Sequence, residues 1–157
     1  MERMRGFTLV EMLIVVVLLG ILAAIVIPTV SQGATEAKRS ALISDVQLLR
    51  RFILIYKAQH LEVPPGYPDG DTSAAATEQA FFEQATMASN AAGQTAPPGT
   101  PGYDRGPYLS KVPHNPFNKL NTIEFVHEFV PGDDSHGWQY NPTTGQIRAD
   151  TAGYEDY

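Results

Sequence analysis

The chain has 157 residues, a formal net charge of −6 and no cysteine. An acidic balance argues against a general nucleic-acid binder, which presents a basic face. With no disulfide available, stability has to come from core packing, from neighbouring copies or from a bound ion.

In chain order, the first element is the aliphatic run Met12 to Val30. As a helix, its 19 residues rise about 28 Å, close to the hydrocarbon thickness of a bilayer. The run is too long for the apolar region of a secretory signal peptide, and Pro28-Thr29-Val30 is no A-x-A-like exit. It reads as membrane-spanning. Arg3 and Arg5 precede it, which leaves the N-terminus cytoplasmic and the rest of the chain outside that membrane. One acidic residue, Glu11, sits at the mouth of this segment, and the next charge comes only at Glu36.

From Thr35 to Gln59 the pattern turns amphipathic. Leu42, Val46, Leu49, Ile53 and Tyr56 recur at spacings of 4, 3, 4 and 3, one helix face, and Leu48, Phe52 and Ile55 widen it. No stop signal separates the two halves, so the pattern predicts one long helix. Pro28, helped by Gly33, predicts a bend within it. Val63-Pro64-Pro65-Gly66 ends the helix. A short second helix is expected from about Ser73 to Ala88, followed by the Pro/Gly-rich loop Gly93 to Pro107.

The last third reads as strands. Ile123, Phe125 and Phe129 alternate with Glu124, Val126 and Glu128, and Gly137 to Asp150 reads as a hairpin with Gly145 in its turn. Trp138, Tyr140, Phe125 and Phe129, at strand spacing, are expected in the core, with Tyr154 and Tyr157 exposed.

Arg5-Gly6-Phe7-Thr8-Leu9-Val10-Glu11 ahead of an apolar run resembles the processing site of type IV pilins and the pseudopilins of type II secretion. The resemblance extends to about Tyr56. It implies that a prepilin peptidase cuts after Gly6 and that Phe7 becomes an N-methylated first residue. The glutamate this family carries at the fifth mature position is then Glu11. Physical chemistry agrees with that placement. A carboxylate in hydrocarbon needs a partner, and the Phe7 amine of a neighbour staggered along a bundle would supply one and set the register. Removing Met1–Gly6, which carries Glu2, Arg3 and Arg5, leaves the remainder one unit more negative.

The expected architecture is therefore α+β, a type IV pilin-like fold. A long N-terminal helix, membrane-spanning in its first half and amphipathic in its second, packs on a small antiparallel β-sheet. It divides into a leader (1–6), an anchor and assembly half-helix (7–34) and an extracytoplasmic globular domain (35–157). That domain holds the amphipathic helix (35–59), a loop region (60–120) and a C-terminal sheet (121–150).

Gly106 to Asn118 resembles the loop of major pseudopilins, through Tyr108, Leu109, Pro113, Pro116 and Phe117. That resemblance implies a subunit of a periplasmic pseudopilus that drives protein export; a surface pilin for adhesion, motility or DNA uptake is the alternative. The implied partners are other copies of the chain, the prepilin peptidase, minor pseudopilins or pilins, inner-membrane lipid, and the inner-membrane assembly platform with its ATPase. Major pseudopilins also use a calcium ion where many pilins use a disulfide. Asp133, Asp134, Ser135 and Asp150 are the candidate ligands, with Pro68 to Ser73 as a second candidate stretch. Four histidines without zinc-binding spacing, and no nucleophile elbow or phosphate loop, leave no enzyme reading. DNA capture would need a local patch from Arg50, Arg51, Lys111 and Lys119.

Overall fold

The structure is a computed structural model. It describes residues 7–155 and 157, and of 24–32 only the backbone. Two compact units divide the chain, 1–38 and 39–157. Helix α1 is assigned over Leu9–Gln59. Pro28 lies within it, among the residues whose side chains are not described, so the expected bend falls outside the description.

In the first unit, the apolar side chains from Phe7 to Leu22 all lie open, from Val15 at 45 % to Leu9 at 83 % exposed. Among the described residues no helix is long and apolar enough to cross a membrane, and the expected span Met12–Val30 runs into 24–32.

The second unit is built on the inner face of α1. Leu42, Val46, Leu49, Phe52, Ile53 and Tyr56 are buried, the one-sided pattern that the spacing predicts. Leu48 and Ile55, read as widening this stripe, stay 42 % and 40 % exposed, outside the buried arc. Helix α2, Glu78–Thr86, starts five residues later than expected because Thr77, in extended geometry, is its cap, accepting from the Ala80 N–H at 3.2 Å. Its Phe81 meets Phe52 at 5.5 Å and Tyr140 at 5.0 Å, both edge-on.

Strands β1 (Ala88–Ser89) and β2 (Thr95–Ala96) form a small antiparallel pair. The main sheet is β3 (Ile123–Phe125), β4 (Trp138–Asn141) and β5 (Gln146–Ala149), in that order. The expected hairpin is β4–β5. Its turn is closed by Asn141, whose Oδ1 accepts from the Thr143 and Thr144 N–H groups at 2.9 and 3.0 Å. Gly145 there has φ +76° and lies against Ile53.

One pairing differs from expectation. β3 runs parallel to β4, not antiparallel. The reason is the connection: residues 126–137 form no tight turn but loop back to the starting end of the sheet, as a parallel pair requires. Phe129 accordingly leaves the sheet and stacks under the Arg148 guanidinium, 4.6 Å away, instead of entering the core. Trp138 and Tyr140 are fully buried as expected, and Phe125 packs at their edge. Tyr154 and Tyr157, expected to be exposed, are half-buried against the core, Tyr154 at 4.2 Å from Phe117.

The end of α1 carries a buried titratable group. His60 stacks on Tyr56 at 3.8 Å; one ring nitrogen lies 2.7 Å from the Tyr56 carbonyl and the other 3.0 Å from the Ser89 hydroxyl. Burial is the main cause that pushes the His60 pKa below its ordinary 6.5; the bond to the Tyr56 carbonyl opposes this and Arg105 adds to it. A depressed histidine binds its proton more readily in the unfolded chain. Stability is therefore full above 6.5 and is lost progressively as pH falls through and below that value. Thermal melts from neutral to mildly acidic pH should show this decline, and His60→Gln should flatten it. An unchanged slope in that variant would remove the assignment.

Candidate functional site

Two regions hold the residues singled out by sequence. At the N-terminal end, Gly6 and the scissile bond to Phe7 lie outside the described residues. Phe7 is 74 % exposed. Glu11 is already engaged. The Thr8 N–H and hydroxyl each donate to Glu11 Oε2 at 2.8 Å, and the Glu11 N–H donates to the Thr8 hydroxyl at 3.2 Å. This is a reciprocal capping box, T-x-x-E, which satisfies two of the amides that every helix start leaves without partners. The signal is plain in Thr8-Leu9-Val10-Glu11, and a reading centred on charge in lipid passes over it.

The second region is the segment Pro131–Gly137 folded over the end of the sheet. Its anchor is Asp150, just past β5 and fully buried. Oδ1 accepts from the Asp133 N–H and from Gln139 Nε2, both at 3.1 Å. Oδ2 accepts from the His136 N–H at 2.8 Å and from the Ser135 hydroxyl at a long 3.4 Å. Gly132 lies so close that a Cβ there would sit 2.5 Å from the Thr151 nitrogen. Asp133 turns its own carboxylate back to the Ser135 N–H at 2.9 Å, and the Ser135 bonds hold its pKa below the ordinary range.

Thus the structure joins Asp133, Ser135 and Asp150 by hydrogen bonds, while Asp134 is exposed on a left-handed residue, φ +62°. This set does not fit calcium. That ion takes six to eight oxygens, and here the carboxylates of Asp133 and Asp150 point at N–H donors. Asp150 does by hydrogen bonding what an ion would do by coordination. In Pro68–Ser73, Asp71 likewise accepts from the Ser73 N–H and hydroxyl at 2.9 and 2.6 Å. Sequence reasoning also missed Glu124. Its carboxylate, a ring nitrogen of His136 and an Asp150 oxygen all lie within 4.8 Å of one another.

The Gly106–Asn118 loop caps the core. Tyr108 and Leu109 donate their N–H groups to the Ala85 carbonyl at 3.0 and 2.9 Å, and the Pro113 carbonyl accepts Trp138 Nε1 at 3.0 Å. Asn115, fully buried, donates to the Gly137 carbonyl and the Thr151 hydroxyl, tying this loop to the Asp150 end of the sheet.

Residues 1–27 match the family model described as the prokaryotic N-terminal methylation motif. The type II secretion system core protein G of Klebsiella pneumoniae is 31 % identical over 117 residues, 74 % of this chain and 71 % of the relative. The chain belongs to the core protein G family. Its likeness to the family runs nearly end to end. The core protein G of Dickeya chrysanthemi is 28 % identical over 156 residues, 92 % of this chain and 91 % of that protein. That of Klebsiella michiganensis is 28 % identical over 151 residues, 87 % and 94 %. No solved structure matches the chain significantly.

Proposed function

We propose that the chain is the major pseudopilin of a type II secretion system, a non-catalytic subunit that polymerises with its own copies into a periplasmic pseudopilus. The observation that carries this is the all-round exposure of the apolar side chains from Phe7 to Leu22. So extended an apolar surface demands cover. Inner-membrane lipid supplies it first, with the N-terminus cytoplasmic and the globular unit periplasmic, and neighbouring helices supply it after assembly.

Exchanging lipid for helices gains little hydrophobic energy. Packing and polar contacts then have to set the register, and an assembly ATPase acting through the inner-membrane platform supplies the work. In this reading the prepilin peptidase cuts after Gly6, Phe7 is methylated, Pro28 gives the helix its adaptable point, and Glu11 meets the Phe7 amine of a neighbour. Minor pseudopilins share the filament, and the acidic chain leaves DNA without a role.

A Gly6→Arg substitution tests it in cells. We expect an uncut precursor held in the inner membrane and exported proteins trapped in the periplasm. In the same assay Glu11→Val should still insert but yield few filaments. A normally shortened chain with undiminished export overturns the reading; loss of surface fibres alone, with export intact, assigns the chain to a surface pilus.

A further inference from the structure

We infer that Leu61 and Glu62 form a knob that docks into a groove beside α1 on a second copy of the chain. The inference rests on the filament reading and deepens it by naming one contact between globular units. The knob stands where α1 stops. The Glu62 N–H donates to the Lys57 carbonyl at 2.9 Å, the longer of the two bonds that define a Schellman turn. Leu61 then occupies the left-handed position of that turn, φ +56°, which favours glycine, and Glu62 follows at φ +65°. A leucine there carries backbone strain, and packing offsets none of it, because the side chain is 85 % exposed. Beside it, the Glu62 carboxylate makes no hydrogen bond or ion pair among the described residues.

The groove runs between α1 and the turn of the β4–β5 hairpin and has a volume of about 550 Å³. Leu54, 69 % exposed, and Phe129 give it an apolar lining. Three cations, Arg50, Lys57 and Arg148, border it against one carboxylate, Glu155, which accepts from the Gly132 N–H at 3.2 Å. Lys57 lies against Gly145 and has no charged partner among the described residues.

An apolar cleft with a cationic border, on a chain of net charge −6, suits an occupant that is apolar and acidic at once. Leu61-Glu62 is such a pair, with leucine for the cleft and a carboxylate for Lys57. Knob and groove are different surfaces of the unit. Each docking therefore leaves one of each open, and the contact propagates head to tail instead of closing a dimer.

The test is disulfide cross-linking in cells that assemble the full chain, which has no cysteine of its own. With Leu54→Cys and Leu61→Cys together, mild oxidation should give a ladder of dimers, trimers and higher species, and neither substitution alone should do so. Adding Glu62→Lys should remove the ladder, and Lys57→Glu on top of it should bring part of it back. Leu61→Gly relieves the strain, so it should raise the melting temperature of the chain in detergent while cutting filament yield severalfold. Chains that are cut and support export but give no ladder overturn this contact and leave the filament reading standing. A dimer without higher species overturns the head-to-tail order, and Leu61→Gly chains that assemble like the parent overturn the role of the leucine.

Discussion

Replacing Asp150 with alanine is expected to release the Pro131–Gly137 segment and to lower the stability of the globular unit by several kcal/mol. The carboxylate is fully buried and accepts from the N–H groups of Asp133 and His136, from Gln139 and, at longer range, from the Ser135 hydroxyl. Alanine removes all of these acceptors at once. Each donor left buried without a partner costs about 1–3 kcal/mol. The two backbone donors can reach water by opening the loop, whereas Gln139 is 1 % exposed and cannot. The loss therefore has a local signature. Amide exchange at Asp133 and His136 should rise sharply before the unit as a whole unfolds, and melting should be lowered too. Asp150→Asn retains one acceptor oxygen and should fall between the parent and alanine. If the alanine variant melted like the parent, Asp150 would not be what closes this end of the sheet.

The second large effect is expected at Trp138. It is fully buried under the inner stripe of α1, and its indole N–H donates to the Pro113 carbonyl at 3.0 Å. Trp138→Ala removes the largest side chain of the core and should cost about 3–5 kcal/mol, a large share of the roughly 5–15 kcal/mol that domains possess. Trp138→Phe keeps most of the volume but leaves that carbonyl without its donor, at about 1–3 kcal/mol. Because Trp138 is the only tryptophan, far-ultraviolet circular dichroism against denaturant is the measurement to use. Equal midpoints for the two variants would mean that volume, not the bond to the 113 loop, is irrelevant to this core.

How far these features are legible in the sequence depends on what each one rests on. The inner stripe of α1 and the β4–β5 hairpin follow from periodicity and a turn glycine, both local signals. Periodicity shows which residues share a face but not how wide an arc a partner will cover, so Leu48 and Ile55 fit the stripe and yet stand outside the core. It also carries no information on strand direction. Ile123-Glu124-Phe125 alternates equally well in a parallel pair, and the connection through residues 126–137 decided the matter.

Asp150 stood out as a carboxylate near other carboxylates. That its oxygens would face N–H donors depends on how the Pro131–Gly137 segment closes, which no spacing records. Glu124 was one polar residue of an alternating strand, and only the β3–β4 register brings it to His136 and Asp150. The T-x-x-E box at Thr8–Glu11 was fully legible. It was obscured because a stronger motif occupies the same residues.

That box changes the thermodynamics of any contact made by Glu11. The box occupies Oε2 of Glu11, which receives the Thr8 N–H and hydroxyl, so a neighbouring amine would join a carboxylate that is already held. The driving force of docking is then the gain over that satisfied state, not the whole worth of an ion pair. A gain of that kind is shallow and runs readily in either direction. Copies joined through it could separate again without leaving a bare carboxylate in hydrocarbon, and Thr8 would set how easily they do so.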